Sequence, residues 1–272
     1  MKHFSTSPRE IVASAWRNRD LVYQMTRREI AGRYRGSVLG IVWSLFNPLL
    51  LLAVYTFVFS VVFKTRWTVG SDSKTEFAIA LFVGMIIYSL FAECLNRAPG
   101  LILANPNYVK KVVFPLEILP WVVLGVALFH AAVSLGVLLV FSLIANHALP
   151  WTVVFFPLVV LPLVFFTLAF TWLLASLGIF LRDVGQVVGL VTTILMFASP
   201  VFYPISAVPE QYRAVLHLNP LAAIIEYARA VLIWGKLPDL TMLALLTLFS
   251  VFAAWLGFVW FQKTRRGFAD VM

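Results

Sequence analysis

The chain has 272 residues, 61% of them hydrophobic and only 12% charged, against about a quarter charged in an ordinary soluble domain. That balance excludes a water-soluble globule and points to an all-α membrane protein of several spans, with one cysteine, Cys94, and therefore no intrachain disulfide. The formal net charge of +9 fits loop cations that set topology and touch anionic lipid; no polar domain is available to carry a nucleic-acid surface.

Residues 1–38 are polar and contain no apolar signal region. They read as a cytoplasmic interfacial helix. On it Tyr23, Ile30 and Tyr34 share one face, Arg17, Arg28 and Arg35 share another, and Leu21 and Met25 fall on a third. A helix needs about 20 apolar residues to cross about 30 Å of hydrocarbon. Six stretches are predicted to cross: 39–63, 77–96, 118–145, 151–180, 184–203 and 240–261. Residues 205–239 are harder to place. The apolar run 221–233 would reach only about 20 Å, and Glu226 and Arg229 sit in its middle. It reads as a short helix that enters the interface and returns, preceded across Asn219–Pro220 by another near 210–217. Six crossings put both termini on one side. Of 21 Lys and Arg, only Lys64, Arg66, Lys74, Arg213, Arg229 and Lys236 then lie on the other. The positive-inside bias accordingly predicts both termini in the cytoplasm.

Two connecting regions and two sets of aromatics could carry function. Residues 96–120 are longer than the 2–8 residues usual between bundled helices; a short helix is predicted at 100–104, bracketed by Pro99 and Pro106, with Lys110 and Lys111 behind it. Arg182 and Asp183 stand between two spans with almost no loop, where charge needs water or a partner. Tyr55, Phe59 and Phe63 make a four-residue stripe on the first span, and Phe202 and Tyr203 stand between Pro200 and Pro204. Such rings can stack on sugars. There is no GxxxxGK[ST] phosphate loop, no HExxH and no GxSxG, and no metal site is expected. His130 stands alone in its span and reads as a hydrogen-bonding group in a helix interface. Glu93 and Glu117 are too distant in sequence to be assumed a pair, and intramembrane charge looks nearly absent.

Taken together, several motifs carry a resemblance. Arg27-Arg28-Glu29-Ile30, Arg33-Tyr34-Arg35-Gly36-Ser37-Val38-Leu39-Gly40 and Trp43-Ser44-Leu45-Phe46-Asn47-Pro48 resemble the start of ABC-2-type permeases that export polysaccharides. Phe114-Pro115-Leu116-Glu117-Ile118-Leu119-Pro120, Arg182-Asp183-Val184, Ser199-Pro200-Val201-Phe202-Tyr203-Pro204, and Asn219-Pro220-Leu221 with Tyr227 and Arg229 are similar to later marks of that family, in the same order across nearly the whole chain.

The resemblance implies a single transmembrane domain, 1–272, in the bacterial inner membrane. It implies a homodimer with two copies of a separate ATPase subunit, ATP and Mg on that partner, and no cofactor or catalytic residue in this chain. The coupling helix would lie near 100–111 and use Leu101, Ile102, Leu103, Asn105, Pro106, Tyr108, Lys110 and Lys111. Residues 205–239 would be periplasmic gate helices. The first and fifth spans of two copies would line a channel, with Tyr55, Phe59, Phe63, Phe202 and Tyr203 as lining or gate. The cargo implied is a polysaccharide on a polyprenyl pyrophosphate, met at headgroup level by Arg33 and Arg35. O-antigen is the expected polymer, since the outer loops are modest and the loop motifs stand nearest that branch; capsule, teichoic acid, and a small molecule or lipid are the alternatives. A membrane enzyme acting on polyprenyl-linked sugars is the alternative of another class. It would need clustered carboxylates or histidine at the membrane face, a cluster not evident in the sequence.

Overall fold

The computed structural model describes residues 5–58, 74–110 and 114–271, so Phe59, Phe63 and Lys111 lie outside the described residues. Among the described residues every regular element is helical. In chain order they are α1 (Pro8–Arg17), α2 (Arg19–Tyr34), α3 (Trp43–Tyr55), α4 (Lys74–Arg97), α5 (Pro106–Lys110), α6 (Leu119–Asn146), α7 (Phe156–Phe180), α8 (Val184–Ala198), α9 (Glu210–His217), α10 (Pro220–Leu232), α11 (Leu240–Thr264) and α12 (Phe268–Val271).

Among the described residues, five helical stretches are long and apolar enough to cross a membrane: Gly40–Val58, Thr75–Arg97, Leu116–Ala145, Trp151–Phe180 and Leu240–Val271. The fifth expected span, 184–203, is shorter than predicted. Its helix α8 ends at Ala198 after 15 residues, about 22 Å at 1.5 Å per residue, short of the hydrocarbon thickness. The cause is Pro200, whose ring pushes Ser199 out of the helical region to φ −106°, ψ 150°.

The N-terminal segment also differs from expectation. It is two helices broken at Asn18 (φ −107°, ψ 22°), so Arg17 and Arg28 do not share a helix. Arg35 lies beyond the end of α2 in extended backbone. The side of α2 turned inward carries Met25, with Leu21 and Val22 beside it, and Tyr23 is exposed. The residues expected on a third face are thus the packed ones, because α2 lies on α6 and that neighbour decides which stripe is covered.

α4 is the most enclosed span and touches α6, α7, α8 and α10, while α7 and α11 form the most extensively packed pair. α3 is the opposite case. Only Pro48 and Leu52 of it are buried, and Leu45, Phe46, Leu49, Leu50 and Val54 are exposed. The outer side of α8 is similarly open, at Val187, Leu190, Ile194 and Phe197.

The bundle has two ends. At one, Trp255 Nε1 donates to the Thr6 carbonyl at 3.0 Å, Arg265 holds Glu117, and Phe180 meets Phe268 at 6.1 Å between ring centres. At the other, Thr152 Oγ1 donates to the Val231 carbonyl at 2.6 Å, and Asn219 Nδ2 donates to Ser199 Oγ at 2.9 Å. The first and last described segments therefore meet at the same end.

Candidate functional site

Three sets of residues stand out, two at the end that holds α1, α5 and α12 and one at the far end. The first set is the segment between α4 and α6. Residues 98–104 form successive turns, closed by bonds such as Leu101 N–H to Ala98 O at 3.0 Å and Ala104 N–H to Gly100 O at 2.9 Å. The helix predicted at 100–104 sits instead at Pro106–Lys110. Pro106 opens that helix rather than closing one, because proline fits the first helical turn, where its missing N–H is not needed. Asn105 Nδ2 donates back to the Leu101 carbonyl at 2.9 Å and fixes the approach.

Leu101 and Ile102, expected to face an ATPase, turn inward and are buried. They anchor the segment, and the outward surface is left to Leu103, Pro106 and Lys110, with Asn105 and Tyr108 half-buried. Gly178 of α7 lets the chain approach: a Cβ there would stand 2.6 Å from Pro99 Cα. Tyr108 stacks on Phe114 at 4.3 Å and accepts from Arg28 Nη2 at 3.1 Å. Behind it Arg265 donates to Glu117 Oε2 at 2.5 Å and to the Phe114 carbonyl at 2.6 Å, and Trp172 Nε1 donates to the Glu117 carbonyl at 3.1 Å. The segment is therefore tied to α2, α7 and α11.

The second set is a polar network that sequence reasoning missed. Glu93 of α4 accepts from Arg33 Nη1 at 2.6 Å and meets His130 Nδ1 at 2.9 Å. His130 Nε2 meets the Tyr34 hydroxyl at 3.1 Å, which agrees with its reading as a helix-interface group. Arg97 pairs with Glu29 and lies 3.8 Å from Glu93. Burial pushes the Tyr34 phenol up, so it remains a hydroxyl. The sequence signal was there but scattered. Glu93 and Arg97 lie near one end of α4 and His130 near the middle of α6, and only the placing of α2 beside α4 and α6 joins them to Glu29, Arg33 and Tyr34. Arg33 and Arg35 are not brought together: Arg33 is held by Glu93, while Arg35 is exposed and makes no ion pair among the described residues.

The third set is at the far end. Arg229 of α10 is fully buried. Its Nε donates to the Ala80 carbonyl of α4 at 2.9 Å, its Nη2 to the Val201 carbonyl at 3.0 Å, and its Nη1 to Glu226 at 2.6 Å. Gly84 makes room, since a Cβ there would lie 2.9 Å from Arg229 Nη2. Asn219 caps α10 by accepting from Leu221 N–H at 3.0 Å. Of the expected aromatic lining, Phe202 packs beside Tyr55 on the cluster of Phe77, Ala80 and Leu81. Phe202 also lies 5.7 Å from Phe197, and the Tyr203 hydroxyl donates to the Phe197 carbonyl at 2.8 Å. At the opposite end, next to Phe180, Arg182 and Asp183 are exposed and line an apolar cavity of about 950 Å³ between α7 and α8.

From the middle helices outward, the profile described as ABC-2 type transporter matches residues 20–233, from α2 to just past α10. This chain belongs to the ABC-2 type transporter family. The O-antigen export system permease protein RfbA of Myxococcus xanthus is 31% identical to this ABC-2 chain over 262 residues, covering 96% of it and 98% of that relative. RfbA of Klebsiella pneumoniae is 26% identical over 93% of the chain and 95% of its own length. The polysialic acid transport protein KpsM of Escherichia coli is 23% identical over 88% and 91%. This ABC-2 chain is thus a multi-pass membrane protein.

Proposed function

We propose that this chain is the channel-forming subunit of an ATP-driven exporter of lipid-linked polysaccharide, with O-antigen as the polymer class. In this reading two copies pair in the bacterial inner membrane with two copies of a separate ATPase. ATP and Mg are bound and used on that partner, and this chain is a transport subunit rather than an enzyme. The names of the relatives support the polymer class, and the O-antigen permeases have the higher identity and coverage.

The observation that carries the mechanism is the tied segment 98–110. Its outer surface, Leu103, Pro106 and Lys110, is open to a partner, while Leu101 and Ile102 are sunk in the bundle. A push on that surface reaches α7 through Pro99 and Gly178, and α11 through Glu117 and Arg265. A rigid segment transmits displacement because packed interiors resist compression. The exposed sides of α3 and α8 are where a second copy would sit, and the polymer would pass beside the half-buried Tyr55, Phe202 and Tyr203 and the further aromatics Phe59 and Phe63. Rings there offer weak, repeated stacking that lets a sugar chain slide.

Both termini face the cytoplasm in this arrangement, with most cations at their end, and α9 and α10 dip into the outer leaflet as gate helices. Arg35, exposed beside the start of α3, meets the pyrophosphate, and Arg33 joins it by exchanging Glu93 for phosphate. The test is complementation of a strain lacking the chain, with its ATPase present. Wild type places polymer on the surface, and a Leu103→Asp/Lys110→Glu variant leaves lipid-linked polymer inside while the protein stays in the membrane. Surface polymer at the wild-type level in that variant, or transport by the purified chain without any ATPase, overturns the reading.

A further inference from the structure

Between α3, α4 and α6 lies a cavity of about 220 Å³. It opens to the side of the bundle, with Asn47, Leu51 and Ser89 exposed on its walls and Ser134 half-buried, and there the default filler is a lipid tail. Three of its polar groups reject that filler. Asn47 of α3, Ser89 of α4 and Ser134 of α6 line it and make no hydrogen bond to any described residue. Hydrocarbon cannot satisfy such groups, and each left bare in lipid costs several kcal/mol. One end of the cavity is closed by Glu93 and His130, already joined at 2.9 Å, and Tyr55 offers a ring at the other. Unpartnered hydroxyls and an amide on three walls, a carboxylate–imidazole pair at one end and an aromatic ring at the other match a small polyhydroxylated ring. The volume is that of about seven waters, the space of one hexose.

On the other side of the Arg33–Glu93 pair lies a second, larger cavity of about 740 Å³ that also reaches Arg97 and Glu29. The two cavities share Arg33, Ser89 and Glu93. A ring seated among Asn47, Ser89 and Ser134 would therefore leave a phosphate on it outside, beside Arg33 and Arg97. Either guanidinium can hold phosphate through paired N–H bonds.

We propose that each protomer holds a binding site for a single hexose ring bearing a phosphate, built from Asn47, Ser89, Ser134, Glu93 and His130 with Arg33 and Arg97 at its mouth. The inference rests on the polysaccharide-export reading and names, within one copy of the chain, the place where the sugar next to the lipid phosphate is inspected. Glu93 and His130 are then sugar-positioning groups, and their own 2.9 Å contact keeps the site shaped when Arg33 turns to the phosphate.

The experiment uses the full chain in nanodiscs of phosphatidylethanolamine and phosphatidylglycerol. The probes are the 1-phosphates of glucose, galactose, mannose and N-acetylglucosamine, with inorganic phosphate as a separate arm, read by saturation-transfer NMR. At least one sugar phosphate receives saturation at its ring protons. Asn47→Leu/Ser134→Ile, which fills the cavity, weakens binding about tenfold or more, and Ser250→Ala on α11 binds as wild type. Three outcomes overturn the proposal: no member of the panel saturates and the pocket holds water only; the filled variant binds as wild type; or inorganic phosphate competes as well as the sugar phosphate.

If the filled variant does not fold, Ser89→Cys in a Cys94→Ala background replaces it. The sugar phosphate slows labelling of that thiol by a small methanethiosulfonate reagent, and absence of protection overturns the site. Export in cells is read separately. A filled variant that exports as wild type sinks the site and leaves the exporter reading intact, whereas failure of the wild-type chain to support export sinks that reading whatever the NMR shows.

Discussion

Arg229→Met removes a fully buried guanidinium at the far end while keeping most of its apolar stem. The Val201 carbonyl loses its 3.0 Å donor, the Ala80 carbonyl its 2.9 Å donor, and Glu226 its 2.6 Å partner. A buried acceptor left unpaired costs about 1–3 kcal/mol. The Ala80 carbonyl lies inside α4 and keeps its helical bond, so it belongs at the low end. Glu226 is 30% exposed and rehydrates, so its share is discounted for solvent screening. The expected loss is about 2–4 kcal/mol, below the roughly 3–5 kcal/mol of breaking a wholly buried pair.

For a chain of this length that loss lowers Tm by about 5–15 °C. The chain supplies its own probe, because its single cysteine, Cys94, is fully buried and reacts with a thiol dye only on opening. Arg229→Lys falls between, since one ammonium cannot fork to acceptors on two elements. Arg229→Met/Glu226→Leu regains only the discounted Glu226 share, because the Val201 and Ala80 carbonyls stay without their donor. Arg229→Met melting with wild type, or the double variant melting below the single one, would refute the reasoning.

Arg265→Ala leaves Glu117 buried without its 2.5 Å partner. The same dye assay registers a loss of about 3–5 kcal/mol, together with weaker coupling of the ATPase to export. Gly178→Ala drives a methyl into Pro99. It costs about 1–3 kcal/mol by overpacking, and limited proteolysis within residues 98–110 speeds up; an unchanged cleavage rate counts against that contact. Asn219→Ala removes the α10 cap and the bond to Ser199, for a loss of about 0.5–2 kcal/mol in the melting assay. Glu10→Gln is expected to leave melting unchanged. Although Glu10 raises the Arg17 pKa by bonding and charge, the pair lies on the surface, where such bridges contribute little.

The sequence by itself determined the class and the positions of most spans. The reason is that solvation acts on each residue separately: a stretch such as 151–180, free of Asp, Glu, Lys and Arg, has nowhere to go but hydrocarbon, whatever it packs against. The motifs that resembled ABC-2 permeases were legible for the same reason, being local strings. Pairwise meetings decided the rest. α8 stops at Ala198 because Pro200 overrides an apolar pattern that continues past it, and α5 starts at Pro106 while Leu101 and Ile102 are drawn inside the bundle. Glu29, Arg33, Glu93, Arg97 and His130 looked in the sequence like separate loop cations, end-of-span acids and a lone histidine. Their charges became one network only when α2 came down on α4 and α6, since hydrogen bonds act over about 3 Å and nothing in a linear string says which distant residues will come that close.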